Sequence, residues 1–134
     1  MTLPVTGLAA AICALLLIYC AYATVKVRLA TEIGFGDGGN PDLLAARGTH
    51  ANLSEHAPLF LIMLAILELA NANHIGITII AAIFLIGRVA HIVGMKQHHK
   101  GGSPRFRQLG VLATWLTTVA LALWIVFLFV TMHL

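Results

Sequence analysis

The sequence predicts an all-α integral membrane protein, one bundle of four transmembrane helices spanning residues 1–134. Three observations carry that reading. First, 60% of the residues are hydrophobic and 10% are charged, against about 25% charged in a typical soluble domain. Second, the apolar residues gather into four long runs, roughly Leu3 to Val25, Ala51 to Ala70, Ile75 to Met95 and Leu109 to Met132, and roughly 20 apolar residues cross a hydrocarbon core. Third, a chain this short cannot close a barrel, and lipid tolerates no unpaired backbone groups, so the runs are helices.

The first run is preceded by no basic residue and followed by no small-residue cleavage site, so it is expected to stay as a helix and not to be removed as a signal peptide. It holds both cysteines, Cys13 and Cys20. Seven residues of helix separate them by about 10 Å, too far for a disulfide, and they read as packing or lipid-facing residues. No spacing of Cys and His matches a closed metal site.

The connection from Lys26 to His50 is polar and rich in glycine. Its Gly34-Phe35-Gly36-Asp37-Gly38-Gly39 formally satisfies a dinucleotide-binding pattern, but no strand precedes it and the match is accidental. Gly, Asp37, Asn40 and Pro41 instead predict a turn before a short helix leading to Arg47. The second connection is only Asn71-Ala72-Asn73-His74, and the third, Lys96 to Gln108, is basic. Lys26, Arg28, Arg47, Lys96, Lys100, Arg105 and Arg107 all fall in the first and third connections. The positive-inside rule makes that side cytoplasmic and places both termini on the other side. For Lys96 and Lys100, orientation and contact with lipid headgroups is sufficient explanation.

An ionisable side chain at depth in the membrane costs about 2.5–3.5 kcal/mol on lenient scales. Asn52, Glu55 and His56 share one face of the second helix through spacings of three and four. Arg88 and His91, three apart, lie inside the third. Arg88 is too deep for an interfacial anchor, and a Glu55–Arg88 contact, within or between subunits, is the expected pairing. A polar clamp between helices would account for such a group. Arg105, Arg107, Lys26, Arg28 and Arg47 at the same end of the bundle point instead to an anion site, because the guanidinium fork grips carboxylates bidentately and stays charged in a dry setting. Glu68, near the far end of the second helix, reads as interfacial.

Arg47-Gly48-Thr49-His50-Ala51-Asn52-Leu53-Ser54-Glu55-His56-Ala57-Pro58 resembles the second-helix signature of the MAPEG family, in which Asn and Glu three apart precede a Pro. Gly87-Arg88-Val89-Ala90-His91 resembles the third-helix signature of microsomal prostaglandin E synthase, a member of that family, and Gly36-Asp37-Gly38-Gly39-Asn40-Pro41 is similar to the first connection of bacterial members. The resemblance implies a homotrimer in a bacterial inner membrane, with sites between subunits that bind glutathione as co-substrate. Lys26, Arg28, Arg47, Asn52, Glu55, His56, Arg88 and His91 form the implied binding set, and Arg107 matches the Arg that the family places near the sulfur. Three positions depart from the pattern: Gly48 stands where the family has an Arg, Met95 replaces a Tyr seven residues after Arg88, and Gln108 follows Arg107 in place of Ser.

The activity so implied is that of a microsomal-type glutathione transferase, with peroxidase activity as an extension, acting on a hydrophobic electrophile or lipid drawn from the bilayer. Two other classes remain open, a non-catalytic lipid-binding or scaffold member and a small multidrug-type transporter. Neither a nucleic acid nor a metal is an expected partner.

Overall fold

A computed structural model describes residues 2–133. Its four helices are α1 (Pro4–Thr31), α2 (Pro41–Leu69), α3 (His74–His99) and α4 (Arg105–His133). All four are long and apolar enough to cross a membrane. Successive helices run antiparallel, so residues 32–40 and 100–104 share one end of the bundle and residues 70–73 lie at the other. The first end carries every Lys and Arg except Arg88.

α1 and α2 are longer than their apolar runs. Lys26 to Thr31 and Pro41 to His50, expected as connection with a short separate helix, continue the two helices without a break. The capping explains why. Asn40 accepts the Leu43 amide at 3.0 Å, Pro41 occupies the first turn, and Asp42 adds negative charge at the helix N-terminus, each a favoured start signal. α1 ends at Glu32 in the left-handed region, and Arg28 donates to the carbonyls of Ile33 (3.0 Å) and Gly34 (3.1 Å). Gly36, Gly38 and Gly39 then turn the chain at positive φ. The glycine-rich stretch is a cap and a corner.

The far end is held by Glu68. Its two carboxylate oxygens accept the amides of Val5 and Thr6, each at 2.9 Å. α1 begins at Leu3 without a side-chain cap, so its orphan first-turn donors find their acceptor on α2. Glu68, expected as interfacial, is therefore a cap supplied by a neighbouring helix.

The interior joins α2 to α3 through Phe60 and Phe84, stacked with ring centroids 3.7 Å apart. Cys13 and Cys20 are buried in the core and unpaired. α3 and α4 make the most intimate contact, and glycines set it. A Cβ on Gly110 would fall 2.6 Å from both the Gly87 carbonyl and the His91 amide, and one on Gly87 would fall 2.7 Å from the Ala113 Cβ. At Gly94 an added Cβ would overlap the backbone of Phe106 and Arg107. Small residues let helices approach where lipid offers no hydrophobic drive to associate, and here they press the start of α4 against α3.

Candidate functional site

That seam builds the polar interior. Arg88 lies eleven residues from the end of α3, about 16 Å along the axis, close to mid-membrane, and is 1% exposed. One guanidinium nitrogen donates to Asn52 Oδ1 of α2 at 2.7 Å. Another donates to the Gly110 carbonyl of α4 at 3.0 Å and to the Thr114 hydroxyl. Its carbon sits 5.6 Å from the centre of the Phe84 ring, and its Nε has no partner among the described residues. Every acceptor that holds this cation is neutral.

The expected Glu55–Arg88 pair is not formed within the protomer. Glu55 lies about 60° round the helix from Asn52, and α2 is rotated so that Asn52 faces Arg88 while the carboxylate stays on the exposed side. It is exposed and makes no hydrogen bond or ion pair among the described residues. Leu59, Ile62 and Ile66 continue the same outward stripe toward the far end.

His91, one turn nearer the basic end, is buried, and Arg88, Arg107 and His56 all lie within electrostatic reach of it. Arg107 is exposed, with its backbone held at Gly94. Asn52, His56, Arg88, His91 and Arg107 thus form one column that descends from the basic end toward the membrane centre. Thr114 and the Gly110 carbonyl belong to this group and were missed in the sequence, where α4 reads as a plain apolar run.

The remaining candidates lie elsewhere. Arg28 and Arg47 flank an outer groove of about 650 Å³ between α1 and α2. Arg28 is tied to the α1 corner, and Arg47 pairs with Asp37 at 3.4 Å. Lys26 opens onto a separate cavity between α1, α2 and α3. These three basic residues do not meet Arg88 in the protomer. Cys13, the α1 residue that feels the field of Arg88, precedes Lys26 by thirteen residues, about 20 Å of helix.

The chain matches the MAPEG family over residues 6–127. It belongs to the MAPEG family. It is also 30% identical over 119 residues to Inner membrane protein YecN of Escherichia coli strain K12, an alignment covering 89% of this chain and 88% of that protein. The YecN of Escherichia coli O6:H1 strain CFT073 gives the same values. With four spans and an inner-membrane relative aligned along most of its length, this MAPEG protein is an integral protein of the bacterial inner membrane.

Proposed function

We propose that this MAPEG protein is a glutathione transferase whose anion-binding column runs from Arg107 through His91 to Arg88. The observation that carries the reading is the buried guanidinium of Arg88, held among the described residues by Asn52, Thr114 and a backbone carbonyl. A buried charge without a counter-charge is expensive, and an incoming carboxylate offsets that cost. Glutathione brings two carboxylates and an ammonium group, which suits a site with several guanidinium groups and one acid.

The acid is Glu55. A carboxylate turned to lipid near mid-membrane is costly, and Glu55, Leu59, Ile62 and Ile66 follow the spacing of a helix–helix seam. A second copy of the chain packed on this stripe, as in a homotrimer, would shield Glu55 and leave it to take the glutathione amine. Asn52 and Arg88 then meet the peptide and a carboxylate. Arg107, exposed at the mouth, stands near the thiol and favours its thiolate. The thiolate attacks the electrophilic carbon, a carbon–sulfur bond forms, and a leaving group such as chloride departs, with the thiol proton released to water. Drawing a hydrophobic acceptor from the bilayer supplies proximity.

Calorimetric titration of glutathione into the protein in phosphatidylcholine nanodiscs, beside conjugation of chlorodinitrobenzene, tests the proposal. Binding is expected in the wild type and lost in Glu55→Ala, and conjugation is expected to fall at least tenfold in Arg107→Ala. No heat at millimolar glutathione would end the transferase reading.

A further inference from the structure

A second feature of the basic end is independent of the Arg88 column. α1, α2 and α3 stay apart there around a cavity of about 330 Å³, which the last turn of α3 lines with Lys96 and His99. Two polar contacts tie that turn across the gap. Lys96 donates to the Tyr19 hydroxyl of α1, its Nζ 4.7 Å from the centre of the Tyr19 ring. His99 Nε2 lies 2.6 Å from Asp42 Oδ1 in the first turn of α2. Lys96, expected only to orient the chain, is thus a lining residue. Past the turn the chain leaves through Lys100, Gly101 and Gly102, with Gly101 at a φ of +82°, and small residues at the end of an element are where a change of backbone angle is absorbed.

The two contacts differ in what they can sense. Lysine and tyrosine keep their charge state across the neutral range, whereas histidine ordinarily changes charge between about pH 5 and 8. A neutral imidazole shares a hydrogen bond with a carboxylate, and an imidazolium forms an ion pair with it, a bond roughly twice as strong. The other groups around the contact are Lys26, Tyr19 and Cys20 on α1, and Lys96 and the following Lys100 on α3. The three lysines oppose a charge on His99, but Coulomb attraction falls with distance and Asp42, the one acid among the described lining residues, stands in contact. From this arrangement we infer that Asp42 and His99 form a proton-operated latch: a proton taken up by His99 draws the last turn of α3 onto α2 and narrows the way from water into the cavity, and its loss loosens that turn. Acid favours closure because the proton completes an ion pair only where the two side chains meet. Both keep part of their surface exposed, 29% for His99 and 66% for Asp42, so the proton comes directly from the aqueous phase. The same exposure keeps the pair weak, and opening is expected to change about three- to fivefold.

Cys20, buried at 2% exposure and lining the cavity, reports on opening once Cys13 is replaced by Ala. Its modification by sulfonatoethyl methanethiosulfonate, an anionic reagent added from water, is followed in phosphatidylcholine nanodiscs between about pH 5.5 and 8. The thiol's own pH dependence is shared by every variant, so the ratio of each rate to that of the Cys13→Ala parent isolates the latch. At the acid end, added Asp42→Asn and added His99→Gln are each expected to react about three- to fivefold faster than the parent, and at the alkaline end within about twofold of it. His99→Lys, cationic throughout, is expected to react about threefold more slowly than the parent at the alkaline end. A purely electrostatic effect on the reagent has a different signature. Removing an acid concentrates an anionic reagent and removing a cation repels it, so opposite changes in Asp42→Asn and His99→Gln would overturn the latch, as would ratios that ignore pH. Hydrogen exchange at residues 96–99, corrected for intrinsic rates, gives a second reading that needs no reactive thiol. It is expected to be slower at the acid end in the wild type and equal at both ends in His99→Gln; protection that does not change with pH in the wild type would overturn the inference even if Cys20 never reacts. Because Asn52, Arg88 and Arg107 take no part, none of these results depends on the glutathione proposal.

Discussion

Replacing Asn52 by Leu removes the shortest well-formed contact to Arg88, at 2.7 Å, and leaves a buried cation with one fewer acceptor. Neutral interhelical bonds in membranes average about 0.6 kcal/mol and reach about 1.7, whereas bonds to charged groups are worth about 1.5–3 kcal/mol. Arg88 is charged and buried, so a loss of about 1.5–2 kcal/mol is expected, a ten- to thirtyfold shift in the folding equilibrium. Arg88→Met makes the informative contrast. Thr114 already donates to the Gly110 carbonyl at 2.8 Å, so removing the guanidinium strands only the Asn52 amide, which is partly exposed. Replacing a buried charge by an apolar residue of similar length is often neutral or stabilising, and Arg88→Met is expected to lie within about 1 kcal/mol of the wild type. Reversible unfolding in bicelles, followed by far-ultraviolet circular dichroism, measures both. If Arg88→Met proves more damaging than Asn52→Leu, Arg88 is a clamp that holds the helices, and the argument that its charge is kept for a ligand fails. If the order is as expected, glutathione binding should nonetheless be lost in both.

The remaining predictions concern the supports of the fold. Glu68→Ala removes the acceptor for two first-turn amides of α1 and is expected to cost about 1.5–3 kcal/mol, with hydrogen exchange at Val5 and Thr6 accelerating; unchanged exchange there would contradict the cap. Glu68→Gln, which keeps one good acceptor, should retain roughly half of that stability. Gly94→Ala drives a methyl into the Phe106–Arg107 backbone, so it should lower thermal stability and conjugation together, whereas Gly34→Ala, with open space around it, should alter neither. Phe60→Ala opens the stacked pair with Phe84 and is expected to cost about 3–5 kcal/mol in bicelle unfolding.

The four spans were legible because each is a run of apolar residues that only a helix can carry through lipid. Their ends were less so. The extensions of α1 and α2 at the basic end are polar, and their helicity rests on backbone continuity, on Asn40 as a cap, and on contacts between α1 and α2 that polarity alone does not reveal. The column of Asn52, His56, Arg88, His91 and Arg107 could be read from helical spacing and family signatures. The partner of Arg88 could not, because spacing within α2 makes Asn52 and Glu55 equal candidates and only the rotation of the packed helix separates them. Thr114 and Gly110 gave one usable signal: a Gly and a Thr four apart on α4, opposite Gly87 and Gly94 on α3, mark a close crossing. Glu68 gave another, since α1 starts at Pro4 with no capping side chain and an acid waits at the same membrane face.

These glycines also explain why the column takes its shape. Without Gly94, the start of α4 would stand further from α3, and Arg107 would move outward with it. Without Gly110, the α4 backbone could not come near enough for its carbonyl and Thr114 to reach Arg88. Gly94 and Gly110 therefore fix the two ends of the column, the exposed guanidinium at the mouth and the buried one near mid-membrane, on a single seam. Asn52 reaches it from α2, the helix whose outer stripe carries Glu55. A shift of α2 along that stripe, as packing against another copy would impose, acts on Arg88 through the Asn52 bond. On the proposed assembly, oligomer and anion site would thus be linked through one side chain. Asn52→Leu should uncouple them, so that any change in glutathione affinity on dilution of the protein, seen in the wild type, disappears.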